Sequence, residues 1–251
     1  MKKYIVFFFA ALTTSTAFSQ GYQVTFKAPG YKSGITYLTY YMGSNFNIAD
    51  SAAIGNNGIA VFKGTNKLPP GIYAIFFPDK QRRTEFLIDK EQIISVTADT
   101  ADLVNKTVVT GSKENILYDQ YQKVAAGKGR LIQQERNAYT ASTTKEDSAL
   151  HEKNYTTYNK ELNDYREGII KNQPNSMMAA LLNAMKDPVY SSKIPVTKQD
   201  SVDNYNEYKK HYWDGISFMD DRIIRTPFFL KKTERYYREV ISPDPDSIIK
   251  D

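Results

Sequence analysis

The chain has 251 residues, two histidines, no cysteine and a formal charge of +5. A charge this small, with no dense Lys/Arg run beyond the pairs Arg82-Arg83 and Lys231-Lys232, does not point to nucleic acid. The missing cysteines exclude thiol nucleophiles, thiolate metal sites, disulfides and a redox Cys-x-x-Cys within these residues, so the fold must rest on its core alone.

The first element is a leader. Met1-Lys2-Lys3 precedes an apolar run, Tyr4 to Leu12, and a polar segment, Thr13 to Gln20, with small residues Ala17 and Ser19 at the expected cut. This reads as a secretory signal peptide over residues 1–19, cleaved between Ser19 and Gln20. A spanning helix needs roughly 20 apolar residues, so the run is too short for an anchor. No cysteine near the cut allows lipid modification. Loss of Lys2 and Lys3 lowers the charge from +5 to +3. The expected product is soluble, exported to the periplasm or cell envelope, and free of a transmembrane anchor.

Residues 20–111 have β grammar, with short β-branched and aromatic runs between turns. Strands are predicted at Tyr22–Lys27, Ile35–Tyr41, Phe46–Asp50, Ile59–Lys63, Ile72–Phe77, Arg83–Ile88 and Ile93–Ala98, with Val104–Thr110 as an eighth. Gly55-Asn56-Asn57-Gly58 and Leu68-Pro69-Pro70-Gly71 are turns. Ile72 to Phe77 is apolar on both faces, which predicts a central strand covered on both sides. Seven or eight strands at this spacing predict an antiparallel sandwich or barrel; periodicity alone leaves the two open.

At Gly111-Ser112 the period changes to about 3.6. Ser112 caps a helix carrying Leu117, Tyr121 and Val124; Gly127 and Gly129 weaken its middle and Leu131 resumes it. Thr143 and Glu146 form a capping box for a second helix, whose seam is Tyr158, Leu162, Tyr165 and Ile169. Together these predict a long helical hairpin. Asn172 to Asn175 breaks the pattern. Ser176 caps Met177 to Met185, which is apolar nearly all round and therefore buried. Pro188 and Pro195 flank a loop. Further helices are predicted over Ser201–Tyr212 and from Asp220 or Asp221 through Pro227 to Ile241. In Ser242 to Asp251, a helix-start signal at Asp246 or Ser247 meets the end of the chain. The fold class is thus α+β: a β domain over 20–111, then an all-α domain over 112–251 that reads as incomplete at its C-terminus.

Candidate chemistry is sparse. His151 and His211 lie far apart, and a metal site needs three or four converging ligands, so no metal or cofactor is expected. Asp220-Asp221 and Glu85/Asp89 are carboxylate pairs on paper for a hydrolase, but Asp220-Asp221 reads better as a helix cap. No catalytic residue is assigned. Tyr212 and Trp213 are the candidate ligand or interface aromatics.

Several segments carry a resemblance. Tyr37 to Tyr41, Asp50-Ser51-Ala52, Gly58 to Phe62, Leu68 to Tyr73, Glu85 to Asp89 and Gly111 to Asn115 resemble the N-terminal domain of unknown function of exported Bacteroidetes thioredoxin-like proteins of the TlpA type. Asn172 to Ser176, His211 to Pro227 and Asp244 to Ile249 resemble that family's helical second domain. In longer relatives a thioredoxin-like domain with Cys-x-x-Cys follows. The family's redox residues match no position here, so the resemblance implies a non-catalytic accessory or docking module. Its partner would be a protein or a missing C-terminal thioredoxin-like domain, and nucleic acid is not expected. The alternative is a free-standing envelope module that binds glycan or peptide through exposed aromatics. A contiguous aromatic strip on the sandwich would favour the second; aromatics buried among the helices would favour the first.

Overall fold

Alternation of side chains across the first half builds two stacked sheets. The computed structural model describes residues 21–188 and 194–241; the predicted leader, with the cut expected between Ser19 and Gln20, and the final segment Ser242 to Asp251 lie outside them. The strands are β1 (Tyr22–Lys27), β2 (Ile35–Met42), β3 (Asn45–Ala53), β4 (Ile59–Gly64), β5 (Gly71–Phe76), β6 (Arg83–Ile88), β7 (Ile93–Thr97) and β8 (Val108–Thr110). They form two four-stranded sheets, ordered β4-β1-β7-β8 and β3-β2-β5-β6. This is a sandwich. Its interior is filled by the inward-facing residues of both sheets, among them Val24, Phe26, Leu38, Phe62, Tyr73, Ile75, Phe86 and Val96. Pairing is antiparallel with one exception: β1 and β7 run parallel in the middle of their sheet.

Two local expectations meet different outcomes. Val104–Thr110 is not one strand. Leu103–Lys106 forms a helical turn, α1, because the Asp102 carboxylate accepts from the Asn105 amide and caps it, leaving only Val108–Thr110 extended. The central strand behaves as expected: every residue from Gly71 to Ile75 is buried. Tyr73 and Ile75 face the sandwich interior while Ile72 faces the helices.

The helical layer begins with α2 (Lys113–Ala141) and α3 (Lys145–Asn172), an antiparallel hairpin whose first helix continues unbroken through Gly127 and Gly129. Ser112 caps α2 as predicted. The α3 cap is Thr144, one residue later than Thr143, because its hydroxyl accepts from Asp147 N. Ser176 caps the buried helix α4 (Met177–Met185). Helix α5 (Lys198–Lys210) starts earlier than predicted, from a capping box of Thr197 with Asp200. The predicted helix from Asp220 to Ile241 is split into α6 (Asp221–Ile224) and α7 (Phe229–Arg235), which passes into a π-helical turn over Tyr236–Val240. Pro227 falls between the two, and a proline disfavours helical backbone at the residue before it. A second core forms where α2 and α4 cover the outer face of β5 and β6, bringing Tyr41, Ile72 and Leu87 against Leu117, Tyr121, Met178 and Leu181.

Candidate functional site

The aromatic pair singled out above sits deep in the helical layer. Tyr212 is only 1% exposed and its hydroxyl donates to the Lys232 carbonyl at 3.0 Å. Trp213 is half-buried, edge-on to Tyr212 at 5.0 Å and to Tyr236 at 5.1 Å. Both rings have cationic neighbours from this same chain. Lys232 Nζ lies 5.1 Å from the Tyr212 centroid and 5.9 Å from that of Trp213, and it donates to the Lys186 carbonyl. Burial pushes the Lys232 ammonium below its ordinary pKa. Arg235 stands 5.5 Å from the Tyr212 ring while pairing with Asp187 at 2.7 Å and donating to the Tyr208 hydroxyl at 3.0 Å.

The paper carboxylates are also engaged. Asp220 caps α6 and takes the Arg222 guanidinium at 2.6 Å, a bond that holds its carboxyl below the usual range. Asp221 is exposed. Glu85 accepts from the Tyr41 hydroxyl at 2.7 Å and from Arg83 at 3.1 Å. Burial, then the bond to Glu85, pushes the Tyr41 phenol up to about 12. Asp89 is half-buried, and burial raises its carboxyl. His151 bonds to Glu135 at 2.6 Å across the hairpin. His211 ends α5 between Asp214 at 2.6 Å and Glu207 at 2.8 Å, which raise its pKa. Among the described residues, no three His, Cys, Asp or Glu converge as metal ligands and no helix is long and apolar enough to cross a membrane.

The segments that carry the resemblance come together at the seam between sandwich and helices. Gly71 lies against Arg225 so closely that a Cβ there would stand 2.4 Å from the Arg225 Cβ. The closeness lets Ile72 N donate to the Arg225 carbonyl at 2.9 Å, while the Arg225 guanidinium donates to the Pro70 carbonyl at 3.3 Å. Gly111 adopts φ +90°, and a Cβ would meet the Ile93 carbonyl oxygen at 2.4 Å; only glycine holds this turn without strain. Ser112 caps α2, and Glu114 accepts from Met177 N at 2.9 Å, supporting the start of α4. Asn115 is 1% exposed. Its amide accepts from Leu87 N at 2.7 Å and donates to the Leu87 carbonyl at 2.8 Å, the two-point contact that a neighbouring strand would make. Asn115 and Arg225 are joints that sequence reasoning passed over. The available signal was a polar side chain three residues past the Ser112 cap, on the same helical face as the apolar Tyr118 and Tyr121.

Beside this joint runs a cleft of about 700 Å³, between β6 and α2. Thr84 and Glu85 form its sheet side, Leu103 and Val109 its sandwich end, and Tyr118 and Gln122 its helical wall. Met178 and Met185 also line it and supply an adaptable apolar surface.

Residues 22–118 match a family described as a domain of unknown function, DUF4369. The matched segment opens on the first residue of β1 and closes in the second turn of α2, so it takes in Ser112, Glu114 and Asn115 along with the sandwich. No curated protein and no solved structure matches the chain.

Proposed function

We propose that this chain is an exported, non-catalytic accessory module that positions or docks a thiol-disulfide oxidoreductase of the thioredoxin-like type in the cell envelope. The observation that carries the reading is the use made of the residues behind the resemblance. Gly71 and Arg225, Gly111 and Ile93, and Asn115 and Leu87 are joints within the molecule. The first and third tie the sandwich to the helices beside the apolar core they share, and the second fixes the turn from β8 into α2. A body held rigid at its seam suits a part that sets the position of another domain. The leader and the resemblance in both halves supply the setting.

The placement of the aromatics supports docking over glycan stacking. The large exposed aromatics among the described residues, Tyr139, Tyr205, Phe218 and Tyr237, all belong to the helical half. The sandwich aromatics are buried or half-buried, so they form no open strip for a sugar ring. Titration of the purified mature chain against a purified thioredoxin-like domain from the same envelope tests the reading. Saturable binding is expected, with insulin reduction by the chain alone at background. Absence of binding, or turnover by the cysteine-free chain, overturns it.

A further inference from the structure

The backbone of β6 has an open side. Phe77 N donates to the Arg82 carbonyl at 3.0 Å, so the hydrogen-bonded rungs of the β5–β6 ladder fall on Ile75/Thr84, Tyr73/Phe86 and Gly71/Ile88. In an antiparallel ladder the residues between those rungs turn their N–H and C=O the other way. Arg83, Glu85 and Leu87 therefore present their backbone groups away from β5. Leu87 is satisfied on that side by the Asn115 amide. Among the described residues, nothing bonds to the outward backbone groups of Arg83 and Glu85. They border the cleft that runs between β6 and α2.

We infer that this edge is a docking site for an extended peptide strand supplied by a partner protein, added to the sheet beside β6 and ending where Asn115 already occupies the next rung. Asn115 is the internal precedent, because it makes with Leu87 the pair of bonds that a peptide would make with Glu85. A strand in the cleft would turn alternate side chains toward Leu103 and Val109 on one side and toward Tyr118 and Gln122 on the other. The charges around it are matched in place: Arg83 by Glu85, Arg82 by Asp79 and Asp119 by Lys123. The fitting occupant is thus an uncharged strand of about five residues, apolar at alternate positions, held chiefly by its main chain. The α2 wall beside β6 distinguishes this edge from an open sheet edge that a second copy could meet side by side.

The inference deepens the docking reading and rests on it only for who supplies the strand. The probe is acetyl-Val-Thr-Val-Thr-Val-amide, titrated into the isotope-labelled mature chain while amide exchange is followed by NMR. Exchange at Glu85 and Arg83 is expected to slow at least about tenfold at saturation, with Leu87 unchanged. The same peptide N-methylated at every amide is expected to have no effect. Glu85→Pro removes the outward N–H and leaves the β5 ladder intact, since an edge strand tolerates proline there; it should abolish the slowing at Arg83, while Glu85→Gln retains it at both positions. The site is overturned if the peptide slows neither amide, if the N-methylated peptide acts equally, or if protection appears at β3, β4 or β8 instead. Concentration-dependent protection of Glu85 in the chain alone would assign the edge to self-association and also overturn it. A thioredoxin-like domain that binds without slowing Glu85 overturns the site and leaves docking standing; peptide binding without oxidoreductase binding does the reverse.

Discussion

Replacing Asn115 probes the joint between sandwich and helices. Asn115→Ala removes both bonds to Leu87 and leaves a buried N–H and a buried C=O without partners. Each stranded group costs about 1–3 kcal/mol, so the variant should lose about 2–6 kcal/mol. Asn115→Asp keeps an acceptor for Leu87 N but sets a carboxylate oxygen against the Leu87 carbonyl. Burial and that carbonyl both disfavour the charge, so the introduced carboxyl has a folded pKa above its unfolded value of about 4. The folded state then binds the extra proton, and the protonated carboxyl can donate to the Leu87 carbonyl. The deficit of Asn115→Asp against the natural chain is therefore complete above the folded pKa and shrinks as pH falls toward the unfolded one. Asn115→Ala carries no such group, so its deficit stays flat with pH. Urea unfolding followed by circular dichroism at pH 8 and pH 5 measures both, with the natural chain at each pH as reference. A loss below about 1 kcal/mol for Asn115→Ala, or an equal deficit for Asn115→Asp at the two pH values, would show that the two bonds to Leu87 do not hold this joint.

Other expectations do not involve Asn115. A methyl group added at Gly127 or Gly129 would have nothing within 4 Å of it, so Gly127→Ala with Gly129→Ala should stabilise α2 by about 1–2 kcal/mol, read as a Tm higher by several degrees. Gly71→Ala should cost about 1–3 kcal/mol, since its methyl must displace Arg225 and disturb the bond from Ile72 N; a neutral result in the same unfolding assay would show that this contact relaxes freely. The His211 imidazole should titrate above 6.5 by NMR, because Asp214 and then Glu207 favour its charged form. Its raised folded pKa places its stabilising contribution below the unfolded value and removes it as pH climbs through the folded one; His211→Gln should erase that dependence. Lys232→Met removes the ammonium beside Trp213, the chain's single tryptophan, and should shift its fluorescence while leaving Lys186 C=O without its donor. Unchanged emission would show that the cation and the indole do not interact.

Features whose physics is local were legible from the residues alone. Alternation placed six strands to within a residue at each end, because burial of one face acts on every second side chain; β3, predicted as Phe46–Asp50, runs from Asn45 to Ala53 and buries neither face, so it gave no such signal. Ser112, Ser176 and Asp220 were legible as caps because a short oxygen-bearing side chain reaches an amide two or three residues on. The same local rules misplaced a few boundaries where two signals competed: Thr143 against Thr144, the Asp102 cap against the β propensity of Val104, and Pro227 against the helix around it. What depends on distant partners came only with the packed chain. Packing chose a sandwich over a barrel and set β1 parallel to β7. It gave Asn115 its strand-like bonds to Leu87, 28 residues away, and brought Arg225 to Pro70 across 155 residues. It also set Lys232 and Arg235 beside the rings of Tyr212 and Trp213. No window of sequence holds both members of such a pair, and an aromatic reads the same whether it meets a ligand or the chain's own cation. The open edge of β6 belongs to this second kind: Arg83 and Glu85 read as ordinary strand residues, and only the ladder register turns their backbone groups toward the cleft.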